Sequence, residues 1–299
     1  MKNDKIVLLV LTSNQADILR DYLEWHLELG VDLILAEDVG STDDTHDILE
    51  SFARKGRVRW SLVPDKNRAK YRGEETLARM AIDQHGADWI IMSDVDEFLC
   101  PQGPELRTIL ERAAADDVTA ISVPCFNVTG PLPQGGRRAT ETLTLRIDRP
   151  AIPPDEQLIS GDLPVPYIFI RHPPKTITRA SAFAGYGPGV HSVATAWGKT
   201  TVYPDLRFLH YPIRRLDKLE EKIAAAIAFF EINTHLEPWW SWHWRRWIRL
   251  YEEGRLREEY ESQFLSPERS RELVRDGVCT VDETISNWIR QSDAARSST

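Results

Sequence analysis

Short apolar segments alternate with amphipathic segments over the first 125 residues of this chain. Strands that alternate with helices of about 10–15 residues are typical of a mostly parallel sheet with helices on its faces and right-handed crossovers. The predicted strands are Lys5–Leu11, Val31–Ala36, Val58–Val63, Trp89–Ser93 and Val118–Pro124. The predicted helices are Ala16–Leu29, Thr42–Lys55, Glu74–Gln84 and Pro104–Ala115. We therefore expect an α/β fold with a doubly wound, mostly parallel, Rossmann-like sheet.

The rest of the chain divides into an irregular segment and a helical one. Residues 126–215 hold most of the prolines and only short strand-like runs, at Thr142–Ile147, Tyr167–Arg171 and Thr200–Tyr203. A long irregular segment of this kind is typical of a substrate-facing region. Residues 216–299 return to helical spacing. We therefore predict one domain over residues 1–215, with a helical C-terminal extension over residues 216–299.

Composition and charge exclude several classes of protein. The chain has 37 lysines and arginines against 46 aspartates and glutamates, which does not fit a general nucleic-acid-binding protein. The cysteines Cys100, Cys125 and Cys279 are odd in number and lack zinc-site spacing, so we expect reduced thiols in a cytoplasmic protein. No apolar run approaches the roughly 20 residues that span a bilayer.

Two aspartates, Asp94 and Asp96, follow directly on the apolar strand that ends at Ser93. Side chains two residues apart on an extended chain point the same way, so both carboxylates could meet one ion. Ligands of open α/β sheets bind outside the carboxyl ends of the strands, where this pair would lie. Because Glu97 adds a third acid, the cluster indicates a hard divalent cation that carries a phosphate. The alternative is a pair of aspartates that only cap the following segment.

Two polar loops are predicted at the same edge of the sheet. Thr12-Ser13-Asn14 follows the first strand, and residues 38–45, Asp-Val-Gly-Ser-Thr-Asp-Asp-Thr, follow the second. Taken alone, each is an ordinary strand-to-helix loop in which Ser41 or Thr42 caps the next helix. Together with Asp94 and Asp96 they line one crevice.

These segments resemble a known family. Leu11–Asn14, residues 38–45 and Ser93–Phe98 are similar, in this order, to the signature of family-2-like glycosyltransferases with the A-type nucleotide-diphospho-sugar transferase fold. The first helix, Tyr22–Val31, and the His210-Tyr211 pair resemble one branch of that family. The resemblance implies metal-dependent, inverting transfer of a sugar from a nucleotide diphosphate sugar, preferably UDP-linked, to a hydroxyl acceptor in polysaccharide biosynthesis. Residues 1–125 would then bind the donor, and residues 126–215 would face the acceptor.

The resemblance also implies roles for single residues. Thr12, Asn14 and Asp38 would hold the nucleoside of the donor, with Ser41 in the same site. Asp94 and Asp96 would bind the diphosphate through Mn or Mg. One departure concerns the residue after Asn14, which is Gln15 here and usually glutamate in the family.

Two histidines are candidate metal ligands. A-type glycosyltransferases often place a late histidine on the metal, and imidazole is an acceptable ligand for Mn. His191, which follows a glycine-rich stretch, and His210 fit this role. The alternative for each is a hydrogen-bonded structural histidine, and this is the role that we expect for His26 in the first helix.

Three cationic side chains are candidates for the diphosphate, whose developing charge must be neutralised as it leaves. Arg72 precedes the third helix, Lys175 precedes His191, and Lys222 follows His210 by a dozen residues. The alternative for each of them is a solvated surface position.

An inverting transferase also needs a base that deprotonates the acceptor hydroxyl. Among the carboxylates of the irregular segment, Asp155 and Glu156 are preferred because they lie in a proline-flanked loop; Asp148 and Asp162 stay open as well. Each of the four could equally be a surface residue.

Five of the ten tryptophans lie between Trp239 and Trp247. A helix packed on the rest of the protein is the first interpretation. Peripheral contact with the inner face of a membrane is the second, because tryptophan and arginine suit lipid headgroups and the acceptor could be a glycan or a lipid-linked sugar. Sugar stacking or a subunit interface is the third.

Two other functions compete with glycosyl transfer. A sugar-phosphate nucleotidyltransferase on a related sheet would release pyrophosphate, but no glycine-rich phosphate loop follows the first strand. A catalytically inactive protein that binds sugar nucleotides or glycans would bind the donor without turnover.

Overall fold

The computed structural model describes residues 4–63, 73–237 and 241–297. The chain forms two compact units. Unit 1 comprises Met1–Cys125 and Pro173–His210, and unit 2 comprises Phe126–His172 and Tyr211–Thr299. These limits differ from the predicted division at residue 215, because residues 126–172 group with the C-terminal helices.

The strands are numbered in chain order. They are β1 (Ile6–Thr12), β2 (Leu33–Asp38), β3 (Val58–Leu62), β4 (Trp89–Met92), β5 (Glu97–Pro101), β6 (Val118–Val123), β7 (Cys125–Thr129), β8 (Leu145–Ile147), β9 (Lys175–Arg179), β10 (Phe183–Tyr186), β11 (Val193–Thr195), β12 (Lys199–Thr201), β13 (Leu206–His210) and β14 (Cys279–Val281).

The helices alternate with the strands in the first part of the chain and dominate the last part. They are α1 (Leu19–Glu28), α2 (Thr45–Ala53), α3 (Gly73–Asp83), α4 (Leu106–Ala115), α5 (Ala139–Thr142), α6 (Asp155–Ser160), α7 (Leu216–Ile232), α8 (Trp242–Glu252), α9 (Leu256–Ser262), α10 (Pro267–Arg275) and α11 (Thr284–Ser297). Residues 167–169, predicted as part of a strand, form a short 3-10 turn instead.

The main sheet of unit 1 has the strand order β12-β6-β9-β4-β1-β2-β3. Strand β9 is antiparallel to both of its neighbours, β4 and β6, and the other neighbouring pairs are parallel. The prediction of a mostly parallel α/β sheet is therefore confirmed. Strands β1 and β4 are apolar and buried, which is expected for the centre of a sheet with helices on its faces.

The order of the strands reverses between β1 and β4. From β1 the chain builds β2 and β3 outward on one side, and it then returns to place β4 on the other side of β1. In open α/β sheets a crevice forms outside the carboxyl ends of the strands at such a reversal. The residues at this point are Thr12, at the end of β1, and Ser93, which follows β4.

Unit 2 combines short antiparallel strands with helices. Strand β8 pairs with both β7 and β14. The hydrophobic core of unit 2 contains Tyr167, Leu219, Ile223 and Trp247. Trp242 and Trp244 pack against these residues. The described part of the tryptophan-rich segment therefore packs into unit 2, as its first interpretation expected, while Trp239 and Trp240 lie outside the described residues.

No described helix combines the length and the apolar character that a membrane span requires.

Candidate active site

The four residues from Asp94 to Glu97, called the acidic turn below, connect β4 to β5. The Glu97 amide donates a hydrogen bond to the Asp94 carbonyl oxygen over 3.0 Å, and the Asp94 amide donates to Oε2 of Glu97 over 3.0 Å. The prediction that Asp94 and Asp96 lie on extended chain is therefore wrong, because the backbone folds back at this point. The Asp94 side chain is 55% exposed, whereas those of Asp96 and Glu97 are buried.

Lys175 is the cation of the acidic turn. Its side chain is buried, and its Nζ lies 2.8 Å from Oδ2 of Asp94 and 3.2 Å from Oε2 of Glu97. Burial by itself lowers the pKa of a lysine, but Asp94 and Glu97 outweigh it and hold the pKa of Lys175 above its ordinary value. The predicted phosphate ligand is thus a protonated lysine that neutralises carboxylates of its own chain.

His210 and Cys125 lie beside the same turn. Nε2 of His210 is 3.8 Å from Oδ1 of Asp96, and a ring nitrogen of His210 lies within 4.8 Å of the Cys125 sulfur. Burial, together with Glu97, Asp96 and Asp94, raises the pKa of the Cys125 thiol well above its ordinary value, although Lys175 acts in the opposite direction. The carboxylates of the acidic turn thus act on this thiol in the same direction as burial, and the ammonium group of Lys175 acts against them.

The residues present fit a hard divalent cation in their chemistry. Carboxylate oxygens with an imidazole nitrogen are donors that Mn accepts, and the exposed Asp94 gives access from solvent. Among the described residues, neither Asp94 nor Asp96 is part of a group of three candidate metal ligands whose donor atoms all lie within 4.8 Å of one another. The other predicted ligand, His191, makes a hydrogen bond of 3.2 Å between Nδ1 and the Pro174 carbonyl oxygen.

Helix α1 holds the chain on both sides of the acidic turn, at Ser93 and at Leu99. The Tyr22 hydroxyl lies 2.7 Å from Oγ of Ser93, at the start of the turn. The Trp25 indole donates to the Leu99 carbonyl oxygen over 2.8 Å, and the Leu99 amide donates to Nε2 of His26 over 3.2 Å. Strand β5 pairs with β13 on one side only, so these two side chains bind the backbone groups of its other edge.

His26 can make these contacts only as a neutral ring. Because Nε2 accepts from the Leu99 amide, Nδ1 carries the proton and donates to the Tyr22 carbonyl oxygen over 2.8 Å. Complete burial lowers the pKa of His26 to about 4 and favours the same neutral form. The residue is structural, as its place in the first helix predicts.

The three residues predicted to hold the nucleoside, Thr12, Asn14 and Asp38, come together with Ser41, which was predicted in the same site. Thr12 and Asp38 are paired in the register of β1 and β2. Oδ1 of Asp38 accepts from the Ser41 amide over 3.1 Å and from the Ser41 hydroxyl over 2.6 Å. The Asn14 amide donates to Oγ of Ser41 over 2.8 Å, and the Asn14 side chain accepts from the Thr42 amide over 2.7 Å. This network fixes residues 38–45, which we call the Asp38 loop.

Sequence reasoning missed two residues at this loop. Nε2 of His46 contacts Oδ2 of Asp38, and the His46 side chain is 38% exposed. Its ring stacks on Trp60 of β3, with the ring centroids 5.4 Å apart. Only the sequence position of His46 could have indicated this contact, because His46 directly follows the loop motif in the first turn of α2.

The remaining predicted residues belong to unit 2 or fall outside the described residues. Lys222 belongs to α7 of unit 2, where its Nζ donates to the Pro212 carbonyl oxygen over 3.2 Å. Asp155 and Glu156 are exposed carboxylates in the first turn of α6, also in unit 2. Arg72 falls outside the described residues.

We expect His26 to make the protein less stable as the pH falls from about 6.5 towards 4. The unfolded chain binds a proton in this window that the folded His26, with its pKa of about 4, does not bind. Between pH 7 and 5 this difference should remove about 2 kcal/mol from the free energy of unfolding. His26→Gln, which does not titrate, should lose this share of the pH dependence, while His235→Gln at an exposed position should retain it. Equal pH dependence in wild type and His26→Gln would contradict the assignment.

We expect Lys175→Met to destabilise unit 1 by about 3–5 kcal/mol, because the buried Glu97 and its neighbour Asp94 lose their counter-charge. Thermal unfolding in EDTA measures the loss, and Mn²⁺ should restore part of it. The double variant Lys175→Met/Glu97→Gln should recover most of the stability, and Lys199→Met on an exposed strand should have little effect. Unchanged unfolding of Lys175→Met would show that the ammonium group does not balance the turn.

Comparison with known proteins finds a transferase family that resembles part of this chain. Residues 9–135, less than half of the 299-residue chain, match the model of glycosyltransferase family 92. The matched segment includes the acidic turn and the Asp38 loop. A search of curated protein sequences found no match.

Three solved structures illustrate the similarity in fold. S. aureus TarS 1-349 in complex with UDP is 14% identical, with a TM-score of 0.41 over 76% of this chain and 65% of that one. The same protein in complex with UDP-GlcNAc is 14% identical, with a TM-score of 0.40 over 96% of this chain and 92% of that one. Glucosyl-3-phosphoglycerate synthase from Mycobacterium tuberculosis, with Mn2+, UDP and phosphoglyceric acid, is 17% identical, with a TM-score of 0.35 over 73% and 74%.

The family match confirms the prediction that the chain is an enzyme of the glycosyltransferase class. The matched model is that of family 92, and the finer resemblance to family 2 stays a prediction.

Proposed function

We propose that this protein transfers a sugar from a nucleotide diphosphate sugar, with UDP as the nucleotide, to a hydroxyl acceptor, with inversion and with help from Mn or Mg. The observation that carries the proposal is the position of the acidic turn. It follows β4 at the point where the strand order reverses, and the Asp38 loop follows β2 on the other side of β1. Such a crevice accommodates an extended ligand with phosphates at one end and a nucleoside at the other.

Charge supports a cation and a diphosphate at the acidic turn. Asp94 and Glu97 pair with Lys175, and Asp96 lies beside His210, so three carboxylates are close together in a place where a divalent cation would reduce their mutual repulsion. Asp94 and Asp96 would hold the ion together with His210, and the ion would neutralise the departing diphosphate. Lys175 would keep Glu97 neutralised and fix the orientation of the Asp94 carboxylate through Oδ2.

The reaction would then be an in-line displacement at the anomeric carbon. The acceptor oxygen forms the new bond as the bond to the diphosphate breaks, and a carboxylate takes the hydroxyl proton. Asp155 and Glu156, both exposed in α6, remain our candidates for this base. Arg72, Lys222 and His191 remain candidate donor or metal ligands.

The proposal also covers the acceptor and the location of the protein in the cell. We propose a glycan or lipid-linked acceptor, a cytoplasmic location and peripheral membrane contact through the tryptophan-rich segment, Trp239–Trp247. The exposed side chains of α8 that could meet a headgroup include Tyr251, which is 51% exposed, whereas Trp247 is buried in unit 2.

Donor hydrolysis tests the proposal without knowledge of the acceptor. We expect wild-type protein with Mn²⁺ to release UDP slowly from at least one UDP-sugar and faster when its acceptor is added. Asp96→Asn should lower this rate by at least about 100-fold, because it removes a carboxylate that would hold the metal ion, and the ion stabilises the leaving group. Asp83→Asn, an exposed position at the end of α3, is the matched control and should keep the wild-type rate.

Other outcomes of this assay would contradict glycosyl transfer. Pyrophosphate released from a nucleoside triphosphate and a sugar phosphate would identify a nucleotidyltransferase. Donor binding without release of UDP across a broad set of sugars and acceptors would identify a binding protein. Equal rates for Asp96→Asn and wild type would remove Asp96 from the site.

A further inference from the structure

We propose that Tyr22 is a positioning residue for the divalent cation: it holds the acidic turn in the arrangement in which Asp94 and Asp96 bind the ion. The inference rests on the proposed function and deepens it, because it assigns part of the metal affinity to a residue of α1 rather than to a ligand. It follows from the contacts of Tyr22 on both sides of the turn, the weak hold of the sheet at the end of β4 and the exposure of Asp94.

Tyr22 contacts the chain immediately before and immediately after the acidic turn. Its hydroxyl lies 2.7 Å from Oγ of Ser93, the residue before Asp94. Its ring packs edge-on against Phe98, the residue after Glu97, with the ring centroids 5.9 Å apart. One side chain therefore spans the four residues of the turn and restrains the separation of their two ends.

Tyr22 is itself held in place. Its side chain is fully buried, and the His26 ring lies against it at a centroid distance of 4.3 Å. Burial, together with the carboxylates of Glu97 and Asp94, raises the pKa of the Tyr22 hydroxyl well above its ordinary value, so the phenol stays neutral. Replacement of Tyr22 by phenylalanine thus removes a hydrogen bond without changing the charge of the site.

The main sheet holds the start of the acidic turn weakly. The paired register of β1 and β4 ends at Leu9 and Met92. The hydrogen bond beyond it, from the Ser93 amide to the Leu9 carbonyl oxygen, is 3.4 Å long. Because such bonds usually measure about 2.7–3.2 Å, the shorter contact between Ser93 and Tyr22 is the firmer anchor at this point.

Asp94 depends on the turn for its position. Its side chain is 55% exposed, so little packing restrains the carboxylate, although Lys175 contacts Oδ2. The position of this carboxylate relative to Asp96 therefore follows from the backbone of the turn. If the turn adopts the ion-binding arrangement for about a tenth of the time, the apparent affinity for the ion falls about tenfold. A residue that fixes this backbone thus contributes to metal affinity without being a ligand.

Titration with Mn²⁺ alone tests this role without donor or acceptor, since the free ion is measured by its electron paramagnetic resonance signal. Tyr22→Phe should weaken Mn²⁺ binding by roughly tenfold, the lower end of the usual effect of a residue that orients a metal ligand. Tyr260→Phe is the matched control. It removes the hydroxyl that donates to the Arg214 carbonyl oxygen in unit 2, and it should leave Mn²⁺ binding unchanged.

A double-mutant cycle with Ser93 separates positioning from loss of stability. Tyr22→Phe and Ser93→Ala each leave one buried hydroxyl without its partner, so each should lower the unfolding temperature by roughly 2–4 °C. The double variant Tyr22→Phe/Ser93→Ala should recover most of this stability, yet it should bind Mn²⁺ as weakly as the single variants. Recovery of Mn²⁺ affinity together with stability would overturn the positioning role. Ser93→Ala provides the test alone if Tyr22→Phe does not fold.

The release of UDP from a UDP-sugar gives a second readout. Because saturating Mn²⁺ selects the ion-binding arrangement of the turn, the rate of Tyr22→Phe should approach that of wild type at high Mn²⁺. Asp96→Asn, which removes a ligand, should stay slow at every concentration. A Tyr22→Phe rate that stays low at saturating Mn²⁺ would overturn a role that acts through metal affinity.

The outcomes separate the inference from the proposed function. Unchanged Mn²⁺ affinity in folded Tyr22→Phe would overturn the role of Tyr22 and leave the ion at the acidic turn intact. Failure of wild type to bind Mn²⁺ would overturn the metal-dependent part of the proposed function, and the inference with it.

Discussion

The candidate site depends on the ion pairs that Lys175 makes with Asp94 and Glu97. Glu97 is fully buried and would be costly as a lone charge, so the turn that places Asp94 and Asp96 at the end of β4 requires a buried cation. That cation comes from β9, the one strand of the main sheet that runs against its neighbours. The antiparallel insertion of β9 beside β4 is therefore the feature of the fold that makes the acidic turn stable.

A second principle recurs along the same edge of the sheet. A buried aspartate stands beside a histidine twice, as Asp38 with His46 and as Asp96 with His210. In each pair a carboxylate oxygen lies close to Nε2 of the imidazole. Helix α1 adds a third histidine, the buried His26, whose neutral ring holds the edge of β5. Side chains rather than strands thus fix the backbone on both sides of the crevice.

The sequence predicts the central sheet well because buried parallel strands are continuous apolar runs, as β1 and β4 are. The motif order also brings Thr12, Asn14, Asp38 and Ser41 together correctly. Accessibility could not be predicted, because the burial of Asp38 arises from tertiary packing around the end of β2. The pairing of Lys175 with the acidic turn could not be predicted either, because its partner Asp94 is 81 residues away in the sequence. In addition, the pattern of β9, Lys-Thr-Ile-Thr-Arg, did not indicate a strand. Contacts between distant segments leave little trace in one sequence.

The most direct test of the account is the thermal unfolding of wild-type protein with UDP, measured in Mn²⁺ and again in EDTA. A ligand present at 100 times its dissociation constant stabilises the folded state by roughly 2.7 kcal/mol. The account predicts an upward shift of the unfolding temperature with UDP and Mn²⁺ that EDTA largely removes, because the diphosphate binds through the ion at the acidic turn. No shift with any nucleoside diphosphate, or a shift that EDTA leaves unchanged, would contradict it.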